Sequence, residues 1–451
     1  TSISLSHSLR EGSAGANTVW FLRTMPSIYP IYERDANGNL IKDKSGNAIY
    51  DYGDYRTGWS GWNPLADDEY NKSPWTHDDV SDRSYLEITF MPGLKWRSNL
   101  SVDFYQYNYD GYSSSEYGYS AGYKGEADKS SDRNLSYTIN NLLTYEKSFG
   151  DHTLSALVGQ EAYAVKFKSL SASKRGFPFP GITEIGAAAV MTSMDSYENN
   201  YRLMSWLSRL EYDYKGKYYV SGSFRTDGSS RFHPDHRWGN FYSLGGAWTL
   251  NKEEWFKVDW VNMLKLKASW GQQGNDNIGD YRYTDTFSLK NFNDQVAFVQ
   301  STVGNKNITW ETNSNFNIGV DFELFKSRLT GSVEYFRRKT TDMLCIVYVP
   351  LSSGYFSSYD NVGDMLNQGI EVDLHYNVIR TKDFNWTVNF NATHYKNKVL
   401  MLNEDNKNGT LDGYSGYVNG NYFTGEGLPL HTFRLKRYAG VNEKGESTWY
   451  M

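Results

Sequence analysis

Cysteine is almost absent: Cys345 is the only one in 451 residues, so the chain has no internal disulfide and no thiolate metal cluster. Long apolar runs are absent as well. The mean hydropathy is -0.65, and nothing approaches the ~18 consecutive apolar residues of a membrane-crossing helix. That excludes helical spans but not membrane strands, whose hydropathy signal is weak. Positive charge is in deficit, with 46 Lys and Arg against 52 Asp and Glu and a net charge of -6. Phosphate binding needs the opposite sign, so nucleic acid is not an expected partner. The opening TSISLSHSLR has no basic n-region and no apolar core, and is not a signal peptide. What is abundant is aromatic: 23 Phe, 37 Tyr and 14 Trp, a load that excludes disorder.

The dominant pattern is alternation. Phe316, Ile318, Val320, Phe322 and Leu324 fall on one side of a strand, with Asn317, Gly319, Asp321 and Glu323 on the other. Ile370, Val372 and Leu374 oppose Glu371, Asp373 and His375, and Val388 and Phe390 oppose Asn389 and Asn391. Helical periodicity is confined to a possible turn near 253–260. The chain reads as all-β, with strands at about 86–91, 97–110, 134–147, 152–165, 200–213, 218–226, 240–250, 263–271, 314–325, 328–339, 367–379 and 385–397, each pairing with its sequential neighbour.

Connection lengths add a second signal. Short links near 91–96, 148–152, 214–217, 325–328 and 379–384, with a longer one at 251–262, alternate with long polar excursions. An up-and-down membrane barrel has short turns at one end and long loops at the other, a segregation that a Greek-key sandwich does not require. Alternation alone suits a soluble sheet equally well. The aromatic load at strand ends, Tyr212, Tyr214, Tyr218 and Tyr219 beside one turn and Trp255 and Trp260 beside another, favours the interfacial girdle of a membrane barrel. The apolar set then faces lipid, with Asp321, Glu323, Glu371, Asp373 and Asn389 turned inward.

Ordered motifs carry a resemblance. Residues 224–238 read FRTDGSSRFHPDHRW, followed by GNFYSLGGAWTLNKEEWF and LKLKASWGQQGNDNIGDY. Trp310 and Glu311 precede Asn315, Gly319 and Asp321, and Asn361 and Gly363 precede Asn367, Gly369 and Glu371. The set resembles the barrel of the SusC/RagA-like TonB-dependent transporters of Bacteroidetes-type outer membranes. The resemblance implies an outer-membrane importer of oligosaccharides or peptides, working with a SusD-like surface lipoprotein and driven by a TonB complex. Family chains are about twice as long, with a plug domain and about 22 strands. No plug is recognisable here, so residues 1–451 are expected to form one barrel segment, an open sheet of about 14 strands. TonB contact would then come through the missing N-terminal part. A passive porin-like channel and a surface glycan-binding β protein remain the alternatives.

No enzyme chemistry stands out. There is no G-x-S-x-G, no P-loop and no nucleophile with a base. HPDH (233–236) lacks the helical spacing of a zinc motif. DANGN (35–39) and DKSGN (43–47) read as glycine turns, because position twelve counted from Asp35 is Gly46 where a calcium loop needs Glu. No metal or cofactor is expected. Flat rings among hydroxyls and amides suit sugar recognition, which makes Tyr355, Phe356, Tyr359, Tyr414 and Tyr417 candidate ligand residues, together with Trp238, Arg231 and Asp227. Asp227 and Arg231 are expected to pair with one another across the DGSSRF loop, and the loop tyrosines have a competing role in packing loop against loop.

Overall fold

The computed structural model describes residues 1–12, 23–53, 55–56, 60–116, 118–348, 352, 354–355 and 357–450. Thirteen strands form one sheet: β1 (Ser2–Arg10), β2 (Trp75–Met91), β3 (Leu94–Ser113), β4 (Glu126–Phe149), β5 (His152–Arg175), β6 (Val190–Tyr214), β7 (Tyr218–Ser229), β8 (Trp238–Thr249), β9 (Val261–Asn275), β10 (Glu311–Leu324), β11 (Leu329–Thr341), β12 (Asp364–Arg380) and β13 (Asn385–Met401). Their order in the sheet is their order in the chain, so each lies beside its sequential neighbour. Among the described residues β1 and β13 stand at the two ends, and the sheet does not close. Thirteen strands therefore stand where about 14 are expected, and the C-terminal residues form a separate hairpin, Arg437–Val441 with Ser447–Tyr450.

All twelve expected strands are present, and several run further into stretches read as loops. Residues 126–133 (EADKSSDR) are polar at nearly every position and 190–199 (VMTSMDSYEN) mix apolar and polar residues on both sides, so no alternation marks them. Main-chain pairing extends the ladder without needing an apolar face. Short links such as 92–93, 150–151, 215–217 and 325–328 still alternate with long ones such as 114–125, 176–189, 276–310 and 342–363. Gly93 shows why one tight link holds glycine. Its φ of 87° lies in the left-handed region, and a Cβ there would run into the Glu146 carbonyl.

The chain divides into two compact units. In the first, β1 pairs antiparallel with β2 from Ser2 opposite Arg83 to Arg10 opposite Trp75. The connection between them contains helix α1 (Pro64–Tyr70), capped by the Asn63 side chain, and a fully buried ion pair with Arg56 Nη2 2.9 Å from Asp51 Oδ2. Asp35 and Asp43 close the two glycine turns, each accepting main-chain amides two and four residues on. These bonds hold both carboxyls below their ordinary pKa, the largest contribution coming from the Asn39 side chain for Asp35 and the Asn47 amide for Asp43.

The second unit contains residues 201–451 and the adjoining parts of β2 to β5. Aromatic rings line the short-turn ends of its strands. His152 packs on Tyr214, Tyr214 on Tyr218, Tyr218 on Trp248 and Trp248 on Trp255, with centroids 4.8 to 6.3 Å apart. Trp260 stacks on Phe325 at 5.4 Å. Tyr219 departs from the expected girdle, because it alternates with Tyr218 and lies under the Lys265 ammonium at 4.7 Å. Glu253 receives the Tyr218 hydroxyl at 2.6 Å and the Trp248 indole N–H at 2.9 Å, fixing the turn after β8.

Candidate functional site

Strand register separates two faces in the second unit. Val320, Val333, Val372 and Ala392 stand opposite one another across β10 to β13, as do Phe322, Gly331, Leu374 and Phe390 one step along. Ile318, Ile370 and Phe390 are 49, 50 and 54 % exposed, and Leu244 on the same face of β8 is 63 % exposed. At roughly 25 cal/mol per Å² a contiguous surface of this kind is stable against lipid, not against water. The alternate positions carry Asp321, Ser332, Asp373 and Asn391 in one row and Glu323, Thr330, His375 and Asn389 in the next. The two sets expected on opposite faces do lie on opposite faces.

The polar face is hollowed. At one level Ser221, Gly245, Ser269, Asn317 and Phe336 stand in line, and at the next Ser223, Ser243, Gly271, Asn315, Arg338, Asn367 and Asn397. Small side chains on β7 to β9 leave the wall low there. Two adjoining recesses result, about 690 and 760 Å³, sharing Ser221, Gly245, Ser269, Asn317 and Glu334. Lys267 stands at their edge with Nζ 3.0 Å from both Asp321 and Glu334. Arg338 Nε donates to Asn315 Oδ1 at 2.7 Å, and Asn397 Nδ2 donates to Asn367 Oδ1 at 2.7 Å. Such a surface offers both donors and acceptors to a polar ligand. Alternation on β10 pointed to Asn317. It did not reveal Ser221 or Ser269, because serine and glycine give little contrast between faces.

The expected ligand residues divide. Tyr359 packs against a loop core of Phe232, Phe241, Ile278, Ile308 and Trp310. Arg231 does not pair with Asp227. It reaches Asp280 at 3.2 Å and Asp276 at 3.4 Å and lies over the Tyr201 ring, because the turn at 230–237 carries it beyond the strand. Asp227 stays on β7 and binds Arg225, two residues away on the same face, at 2.8 Å. Tyr359 lies beneath Arg282 at 4.6 Å, and the Tyr355 hydroxyl donates to Gln300 at 2.6 Å. Both tyrosines therefore fasten loop to loop. Phe356 lies outside the described residues.

Trp238 is half exposed and shares the apolar face with Tyr242 and Leu244, its indole lying across Gly228. Strand alternation thus turns it away from the recesses. Tyr414 and Tyr417 belong to a separate small sheet spanning 409–433, where Tyr414 packs over Gly427. Beside them the Leu402 amide and the Lys407 ammonium hold the Glu426 carboxyl below its usual range. Burial pushes the Cys345 thiol up and keeps it protonated.

A long up-and-down sheet with one lipid-matched face and one hollowed polar face defines an outer-membrane β-barrel protein. Residues 31–450 match the family described as TonB dependent receptor-like, beta-barrel, and the chain belongs to that family. It is 31 % identical over 279 residues to the TonB-dependent receptor SusC of Bacteroides thetaiotaomicron, covering 60 % of this chain and 27 % of that one. It is 28 % identical over 390 residues to the TonB-dependent receptor P39 of Formosa agariphila, covering 85 % and 37 % respectively. Among solved structures it resembles the RagAB peptide transporter, with a TM-score of 0.84 and 26 % identity over 99 % of this chain and 49 % of that one. The chain thus spans less than half the length of these relatives.

Proposed function

We propose that this chain supplies barrel wall to a TonB-dependent importer of oligosaccharides or peptides that works with a SusD-like surface lipoprotein. The observation that carries the reading is the hollowed polar wall, continuous across β7 to β12, where serine, glycine and amide side chains are interspersed with charged ones such as Lys267, Glu334, Arg338 and Glu371. A wall that mixes hydroxyls, amides and charges of both signs suits an extended polar substrate that makes many separate hydrogen bonds along it. Family membership supports energy coupling, and likeness to a peptide transporter keeps peptides beside sugars as substrate. Uptake of labelled oligosaccharides or peptides by cells carrying the full-length gene tests this. A protonophore or loss of TonB should abolish uptake. Uptake that survives either treatment would contradict the proposal and favour a passive channel.

A further inference from the structure

Phe336 is an anomaly on the polar face. The positions of β11 that share its side are Thr330, Ser332, Glu334, Arg338 and Thr340, and Phe336 alone among them has no polar atom. Its register partners are Asn317 on β10 and Gly369 on β12. Gly369 supplies the seat: a Cβ there would lie 2.9 Å from the Phe336 ring and would also strike the His394 carbonyl. The ring thus lies down across Gly369, and it lines the larger of the two recesses.

Around the ring stand groups that bind hydroxyls. Asn317 faces it directly, the Arg338–Asn315 pair lies one level along, and Glu371 lines the same recess. A flat apolar surface edged by amide, guanidinium and carboxylate matches a pyranose, whose C–H face is apolar and whose rim carries hydroxyls. We infer that Phe336, with Asn317 and Glu371, forms a sugar-stacking subsite in the barrel wall, separate from the loop tyrosines. The inference rests on the import reading for its purpose, but the subsite makes its own claim: the wall holds a neutral oligosaccharide by ring stacking.

The test uses the full-length protein in detergent micelles. Carbene footprinting maps protection of residues 329–341 by neutral malto-, xylo- and manno-oligosaccharides of six residues, with a Gly/Ser octapeptide as control. Phe336→Leu still covers Gly369 with apolar bulk but removes the flat ring, and its melting temperature checks folding. The expected result is protection by at least one sugar series, not by the peptide, reduced at least five-fold by Phe336→Leu and retained in Phe336→Tyr. Absence of protection with every series, equal protection by the octapeptide, or undiminished protection in Phe336→Leu overturns the subsite. Energy-independent uptake in cells with the strand still protected would count against the import reading alone.

Discussion

Phe232→Ala is expected to cost about 3–5 kcal/mol, the range for removing a fully buried aromatic ring. Phe232 has no exposed surface and packs on Trp310 at 5.5 Å, in a cluster that draws together the turn at 230–237, the connection at 276–310 and the hairpin formed by Leu344–Tyr348 and Ser357–Asn361. Hydrogen bonds cross the same junction. The Trp310 indole donates to the Arg237 carbonyl at 2.8 Å, the Thr309 amide to Asn361 Oδ1 at 2.7 Å, and Asn305 Nδ2 to Asp360 Oδ1 at 2.9 Å. Loss of the ring should therefore loosen the loops together while the strands stay paired. Amide hydrogen exchange should rise across 276–310 and 357–363 and stay unchanged across 314–324. Faster exchange throughout β10 would mean that the loop core and the sheet form one cooperative unit.

The second large effect is on the apolar face. Arginine at Val372 should destabilise the folded barrel by roughly 2 to 4 kcal/mol if the residue lies at mid-bilayer. Val372 stands between Val333 and Ala392, with no polar side chain in that row across β10 to β13. The same substitution at Asp373, on the polar face beside Ser332 and Asn391, should cost under about 1 kcal/mol, since its new charge remains in water. Refolding titrations of the full-length protein into liposomes read the difference. Equal costs at the two positions would show that they meet the same surroundings.

The strands and their facing were legible because lipid on one side and water on the other impose a period of two, which Phe316 to Leu324 and Ile370 to Tyr376 display without interruption. The same logic explains what was hidden. Residues 190–199 pair as strand with apolar and polar residues mixed on both sides, so no pattern marks them. Arg231 finds Asp276 and Asp280, partners about 45 residues away that only the loop fold supplies, whereas sequence proximity suggested Asp227. Trp238 looked like a ligand residue by type, yet strand parity sets it on the apolar side with Tyr242. The recess was hidden for the opposite reason. It is made by what Gly245, Ser221 and Ser269 do not fill, and a vacancy across three strands becomes visible only once register aligns them.

The central claim is that even-numbered positions of β12 from Ile370 to Tyr376 meet lipid and odd-numbered ones meet the aqueous lumen. Spin labels placed singly at 370 to 375, in a Cys345→Ser background of the full-length protein in liposomes, test it most directly. The account predicts collision with oxygen, which dissolves in lipid, to peak at 370, 372 and 374, and collision with a water-soluble nickel chelate to peak at 371, 373 and 375. Accessibility without that alternation, or with the two peaks exchanged, would contradict it.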